Sequence, residues 1–193
     1  MALAKNALVH LIGLPGVGKL TIARELASAL PAHLMDNHAS NNLVFSLLNI
    51  PRDQSIPEAA WVEVRKIRAA VLNTITTLAP RDDNYIFTNA LYGEDEKDLR
   101  VIEQVRSTIE ARDGHYIPVV ITCDSAEHRA RYTNTQRHEK LKPTDGKILD
   151  DILAEGEQPL RQKHANASEI DVTHLTPAQA AAAIKAHAEQ VCA

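Results

Sequence analysis

Two kinds of hydrophobic pattern alternate along the chain. Short unbroken apolar runs are followed by longer stretches in which apolar residues recur every three or four positions. The runs "ALVHLI" (7–12), "HLM" (33–35), "NYIFTNA" (84–90), "YIPVVITC" (116–123) and "SEIDVT" (168–173) read as strands. "KLTIARELASAL" (19–30) spaces Leu20, Ala23, Ala27 and Leu30 as one helical face and stops at Pro31. A polar cluster, "DNHASNN" (36–42), follows the second strand, and the next helix is expected to begin at "LVFSLLN" and break around Pro51. A long helix over about 57–79 then places Ala60, Val64, Ile67, Val71, Ile75 and Leu78 on one face. A charged helix follows over roughly 94–113, and another begins at "DSAEHRARY". After the polar, basic stretch "RHEKLKPTD" (137–145) comes a further helix. The last helix, "TPAQAAAAIKAHAEQV", has Thr176 as cap, Pro177 at its first position and Gln179 three after the cap.

Strands that alternate with helices predict an α/β fold, in three layers, with a five-stranded parallel sheet covered on both faces. No internal repeat, long linker or low-complexity tract interrupts the pattern, so residues 1–193 are expected to form a single domain.

Composition narrows the function classes. The chain is 45% hydrophobic with a net charge of −4, which lacks the basic balance of a broad nucleic-acid surface. Its apolar stretches fall far short of a membrane span. The start, "MALAKNALVHLIG", runs straight into a strand, so no cleavable signal is expected. Two cysteines, Cys123 and Cys192, give no disulfide framework, and a reducing, cytoplasmic setting is the expectation. Nine histidines show no H-x-x-x-H or Cys–His spacing for a structural zinc.

The chemistry begins at "GLPGVGKLT" (13–21), between the first strand and the first helix. Gly13, Gly16 and Gly18 let the backbone turn its N–H groups inward, and the helix N-terminus adds positive potential. Lys19 would reach the terminal phosphates of a nucleotide as a point charge. Gly13, Pro15, Gly16, Val17, Gly18, Lys19, Leu20 and Thr21 are thus the expected nucleotide-binding residues. A Ser or Thr usually follows the lysine and holds magnesium; here Leu20 stands there and the hydroxyl comes one place later. The metal must then be held by Thr21, by water or by acids elsewhere. Leu20 itself can pack under the sheet from the first helical turn.

This stretch resembles the G-x-P-G-x-G-K-G-T loop of adenylate-kinase-like enzymes, in which the residue after the lysine also lacks a hydroxyl and a threonine follows. The order of the remaining elements is similar to that of the small P-loop kinases, which include shikimate, gluconate and nucleoside monophosphate kinases and the chloramphenicol phosphotransferases. The resemblance implies a P-loop NTPase fold with a small lid at about 133–145. It implies ATP and Mg²⁺ as cofactors, with a small-molecule acceptor as the other partner and a monomer or homodimer as the assembly.

On the acceptor side, Asp36 ends the second strand, so it is expected at the carboxyl edge of the sheet. A carboxylate there can take the acceptor's hydroxyl proton or hold a metal-bound water; equally, Asp36 can cap the next helix. Asn37, His38, Asn41 and Asn42 make its surroundings rich in groups able to orient a substrate. On the long helix, Trp61, Arg65, Arg68 and Leu72 form a stripe beside the apolar face. Arg68 can grip an anionic acceptor, or snorkel like Arg65. The third strand ends in Thr88 and Asn89, where many P-loop enzymes have an aspartate for magnesium. Asp124 with Glu127 reads as a helix cap. Arg129, Arg131, Arg137, Lys140 and Lys142 suit a closing lid that steadies a transferring phosphoryl group.

The expected catalytic residues are Lys19, Asp36 and Arg137. Asp36, His38, Asn42, Arg68 and Asn89 are expected to bind substrate, Arg131, Arg137 and Lys140 to belong to the lid, and Thr21 to hold metal. The expected function is ATP-dependent, magnesium-assisted phosphorylation of a small hydroxylated metabolite. The alternatives are a nucleoside or nucleotide kinase, or a protein that binds or hydrolyses ATP without being a kinase.

Overall fold

The computed structural model describes residues 5–48, 55–92, 96–133 and 146–193, the side chains of 146–148 excepted. Strands β1 (Ala7–Ile12), β2 (Ala32–Asp36), β3 (Asn84–Asn89), β4 (His115–Thr122) and β5 (Ser168–Asp171) form one sheet in the order β2-β3-β1-β4-β5. All four pairings are parallel. Parallel neighbours need crossovers, and the helices that supply them cover both faces.

On one face, Ala7, Val9 and Leu11 of β1 pack under α1 (Lys19–Ala29) and α7 (Pro177–Val191). On the other, Leu8, Tyr85, Phe87 and Tyr116 pack under α3 (Glu58–Thr77) and α4 (Glu96–Glu110). β1 is buried along its whole length, as its unbroken apolar run requires. The expected cap of α7 is present: Thr176 accepts from the Gln179 amide while the Gln179 side chain reaches back to the cap. Asp124 likewise accepts from the Glu127 amide at the start of α5 (Ser125–Tyr132).

Three expectations are corrected. Helix α2 (Asn37–Phe45) runs through the polar cluster and stops near where the sequence pattern would start it. Its polar residues are poor helix formers, and packing against α3 overrides that preference. In α1 the buried face is Ile22, Ala23 and Leu26; Leu20 is only half-buried and does not pack into the core clusters. Leu78 falls just past the end of α3 and is 77% exposed, while Ile67 and Val71 on α3 are half-covered because a cavity lies against them.

Candidate active site

The glycine loop connects β1 to α1 in a conformation that depends on its glycines. Gly16 and Gly18 have φ of +95° and +109°, in the left-handed region that side chains avoid. Gly16 also lies under α5, where a Cβ would meet the Tyr132 ring at 2.7 Å. Two loop carbonyls are held by the same helix. The His128 imidazole donates from Nε2 to Pro15 O at 2.8 Å, and Arg131 donates to Val17 O at 3.0 Å. Arg131 also donates to Val172 O at 2.9 Å and pairs with Glu127 at 2.6 Å. With these carbonyls turned toward α5, the loop amides and the first turn of α1, which contains no acid, make a site suited to an anion. Lys19 Nζ donates to Gly13 O at 2.7 Å and Leu14 O at 2.9 Å, across the mouth of the loop.

Asp36, Thr88 and Leu11 share a row across β2, β3 and β1, so the Asp36 carboxylate stands two strands from the loop at the carboxyl edge. Asp36 occupies the N-cap position of α2, yet its side chain makes no capping hydrogen bond. Instead Oδ1 accepts from Thr88 Oγ1 at 2.7 Å, and His38 Nδ1 lies 3.3 Å away. The capping alternative for Asp36 is thereby set aside in favour of a carboxylate oriented from the next strand.

Beside Asp36 lies a cavity of about 130 Å³ between α2, α3, β2 and β3. Its polar wall is Asp36, Asn37, Ser40, Arg68 and Asn89; Met35, Val71, Phe87 and Val105 are among its apolar lining. Arg68 donates to Asn37 Oδ1 at 2.6 Å and makes no ion pair among the described residues. Burial is the main reason its guanidinium sits below its ordinary pKa, offset in part by the Asp98 charge. A cation in that position is short of a close anionic partner. Arg65, by contrast, is exposed and paired with Glu58 at 2.6 Å.

The structure therefore brings Asp36, Arg68 and Asn89 together around one cavity. His38 touches Asp36 but does not line the cavity, and Asn42 is half-buried away from it. Arg131 belongs to α5 and braces the loop; it is not part of a lid segment. Arg137 and Lys140 lie outside the described residues, as does most of the expected lid. Thr21 is exposed on the first turn of α1. Sequence reasoning missed His10, His128, Tyr132 and Tyr116. A histidine in the middle of a buried strand is a signal, since it must find polar partners there, but its partners come from distant segments.

A phosphate loop at the end of the first strand of a parallel sheet ordered 2-3-1-4-5, with a mostly apolar cavity carrying a few polar groups at the carboxyl ends of β2 and β3, defines a P-loop kinase fold. The AAA_18 family profile, an AAA domain, matches residues 9–158, and the chain belongs to that family. No curated protein matches the sequence. Among solved structures, the chain is similar to a provisionally assigned kinase from Chloroflexus aurantiacus, with a TM-score of 0.67 at 16% identity over 98% of this chain and 100% of that one. A gluconokinase from Sinorhizobium meliloti superposes with a TM-score of 0.59 at 12% identity, over 100% of this chain and 95% of that one. The APS kinase of Mycobacterium tuberculosis, in complex with AMPPNP and APS, gives 0.56 at 12% identity, over 95% and 98%. At these identities the likeness is one of fold. No helix among the described residues is long and apolar enough to cross a membrane.

Proposed function

We propose that the chain is an ATP-dependent phosphotransferase whose acceptor is a small hydroxylated metabolite held in the cavity beside Asp36. The observation that carries this reading is the Asp36 carboxylate. It is turned away from the capping role its position invites, and it is oriented by Thr88 at the edge of a cavity on the carboxyl side of the same sheet that bears the phosphate loop.

In this reading Lys19 exchanges its neutral carbonyl acceptors for the terminal phosphates of ATP, a charge-assisted and stronger pairing. Asp36 accepts the acceptor's hydroxyl proton as its oxygen attacks, which is general-base work. Arg68 favours an acceptor that carries an anionic group, because its buried charge has only a neutral hydrogen-bond partner among the described residues. Arg137, with Lys140, is the sequence-derived candidate for steadying the transferring group.

Magnesium is compatible with this donor set only as an ion bound mainly by phosphates and water. Leu20 has no oxygen, the Thr88 hydroxyl is engaged by Asp36, and Thr21 is exposed. Asp36 is a hard oxygen donor in the right row of the sheet, and Thr21 is the second candidate. A bound magnesium ion would neutralise charge on the phosphates.

The test is an acceptor screen that measures ADP release, with sugars, shikimate-like acids, aminoglycosides, chloramphenicol and nucleosides. Acceptor-dependent release supports the reading, and the compound that drives it decides between a metabolite and a nucleoside. ATP turnover that ignores every acceptor points to a hydrolysing protein instead.

A further inference from the structure

His10 sits in β1 between Leu8 and Ile12, on the sheet face covered by α3 and α4, and its side chain is fully buried. Its Nδ1 is 2.8 Å from the Tyr116 hydroxyl and its Nε2 is 2.9 Å from Asn89 Oδ1. Desolvation, with a smaller contribution from the Arg68 charge, lowers the ring's pKa to about 4, so it is neutral at pH 7. A neutral imidazole has one donor nitrogen and one acceptor nitrogen.

The Tyr116 hydroxyl decides which is which. Tyr116 is 1% exposed, and His10 is its hydroxyl's one hydrogen-bond partner among the described residues. A buried O–H with a single neighbour donates to it. Nδ1 therefore accepts, Nε2 carries the proton, and Asn89 Oδ1 receives it. This sets the Asn89 amide in one of two orientations that would otherwise be nearly equal in shape. Its carbonyl faces the core, and its NH₂ group is left toward the cavity that Asn89 lines. Among the described residues that nitrogen has no hydrogen-bond partner.

We propose that His10, keyed by Tyr116, is a positioning residue that presents the Asn89 NH₂ as a donor to the phosphate acceptor, so that the cavity selects an oxyanion between Asn89 and Arg68 and disfavours an amine there. The proposal rests on the reading of this cavity as the acceptor site. Two donors on the lining suit a carboxylate or a phosphate monoester equally, and the Asp36 carboxylate on the same lining is left to the reacting hydroxyl.

The experiment has two parts. The ¹⁵N resonances of His10 report its tautomer directly, and the Nε2–H form is expected at pH 7. In parallel, calorimetry with sodium gluconate, glycerol 3-phosphate and glucosamine compares the wild-type protein with His10→Gln, His10→Asn and Asn89→Asp. Glutamine places a donor where Nε2 was and keeps the bond to Asn89; asparagine reaches only toward Tyr116. One or both anions should bind the wild type, the pattern telling carboxylate from phosphate. That affinity should survive His10→Gln and fall by roughly tenfold or more in His10→Asn and Asn89→Asp, the loss expected for a buried hydrogen bond. Glucosamine should gain in Asn89→Asp, and ATP affinity should be unchanged throughout. If His10→Asn fails to fold, Asn89→Asp and the tautomer decide.

An Nδ1–H tautomer overturns the proposal, since the amide would then face the other way. Equal loss in both His10 variants overturns it too, because that marks a packing role. If neither anion binds but a neutral acceptor is phosphorylated in the screen, this proposal falls while the acceptor reading stands. If no acceptor is phosphorylated, both fall.

Discussion

The Thr88 hydroxyl donates to Asp36 Oδ1 at 2.7 Å, from the strand that separates Asp36 from the strand bearing the phosphate loop. Thr88 is 3% exposed, so this bond is protected from water, and the carboxylate beside the cavity is held in one orientation. If that carboxylate is the general base, Asp36→Asn should leave ATP affinity nearly unchanged and lower turnover by roughly 10²–10⁴. Thr88→Val should lower turnover less, and Thr88→Ser should restore it. Steady-state kinetics on the acceptor found by the screen, with ATP titrated separately, checks this. Near-wild-type turnover in Asp36→Asn would leave Asp36 without a catalytic role.

Gly16 tests the loop's packing. An alanine there combines a φ of +95° with a Cβ 2.7 Å from the Tyr132 ring. Gly16→Ala should destabilise the protein by about 1–3 kcal/mol and weaken ATP binding. Tyr132 is itself buried, so the comparison is made in a Tyr132→Ala background, where Gly16→Ala should cost less than in the wild type but not nothing, because the backbone strain remains. A cost of zero in that background would show that the ring contact was the whole effect.

Arg131 and Arg137 should separate by kinetic signature. Arg131 braces Val17 O and Val172 O, so Arg131→Ala should weaken ATP binding and turnover together. Arg131→Lys should restore little, because one ammonium cannot reproduce the planar fork. If Arg137 contacts only the transferring group, Arg137→Ala should lower turnover by roughly 10²–10³ with little effect on ATP affinity. The opposite pattern in the two variants would reverse these roles.

His10 makes stability depend on pH. Its folded pKa of about 4 lies below the ordinary 6.5, so the unfolded chain binds the proton first as pH falls. The stabilisation is complete above about 6.5 and is lost between there and about 4, amounting to about 3 kcal/mol. Denaturant melts across this range, repeated with His10→Gln, should show a shallower slope in the variant. Parallel slopes would mean that His10 is not buried in the neutral form.

Much of the architecture was legible in the sequence. Five strands, the crossover helices and the glycine loop follow from apolar periodicity and from residues that favour particular backbone turns, both of which are local. The α7 cap at Thr176 and the α5 cap at Asp124 were legible for the same reason, since each closes within three residues. Helix α2 was not: its Asn, Ser and His residues read as a connection, and contact with α3 makes them helical.

The site divides along the same line. That a phosphate loop precedes α1, and that Asp36 and Asn89 each end a strand, was determined by the sequence, because a strand's end is set by nearby residues. What Asp36 does with its carboxylate, which side of the Asn89 amide faces the cavity, and that Arg131 braces the loop were decided only by tertiary structure. Each depends on a partner 52, 79 or 114 positions away in the chain. Hydrogen bonds are short and directional, and nothing in the local pattern says which distant donor the fold will bring within 3 Å.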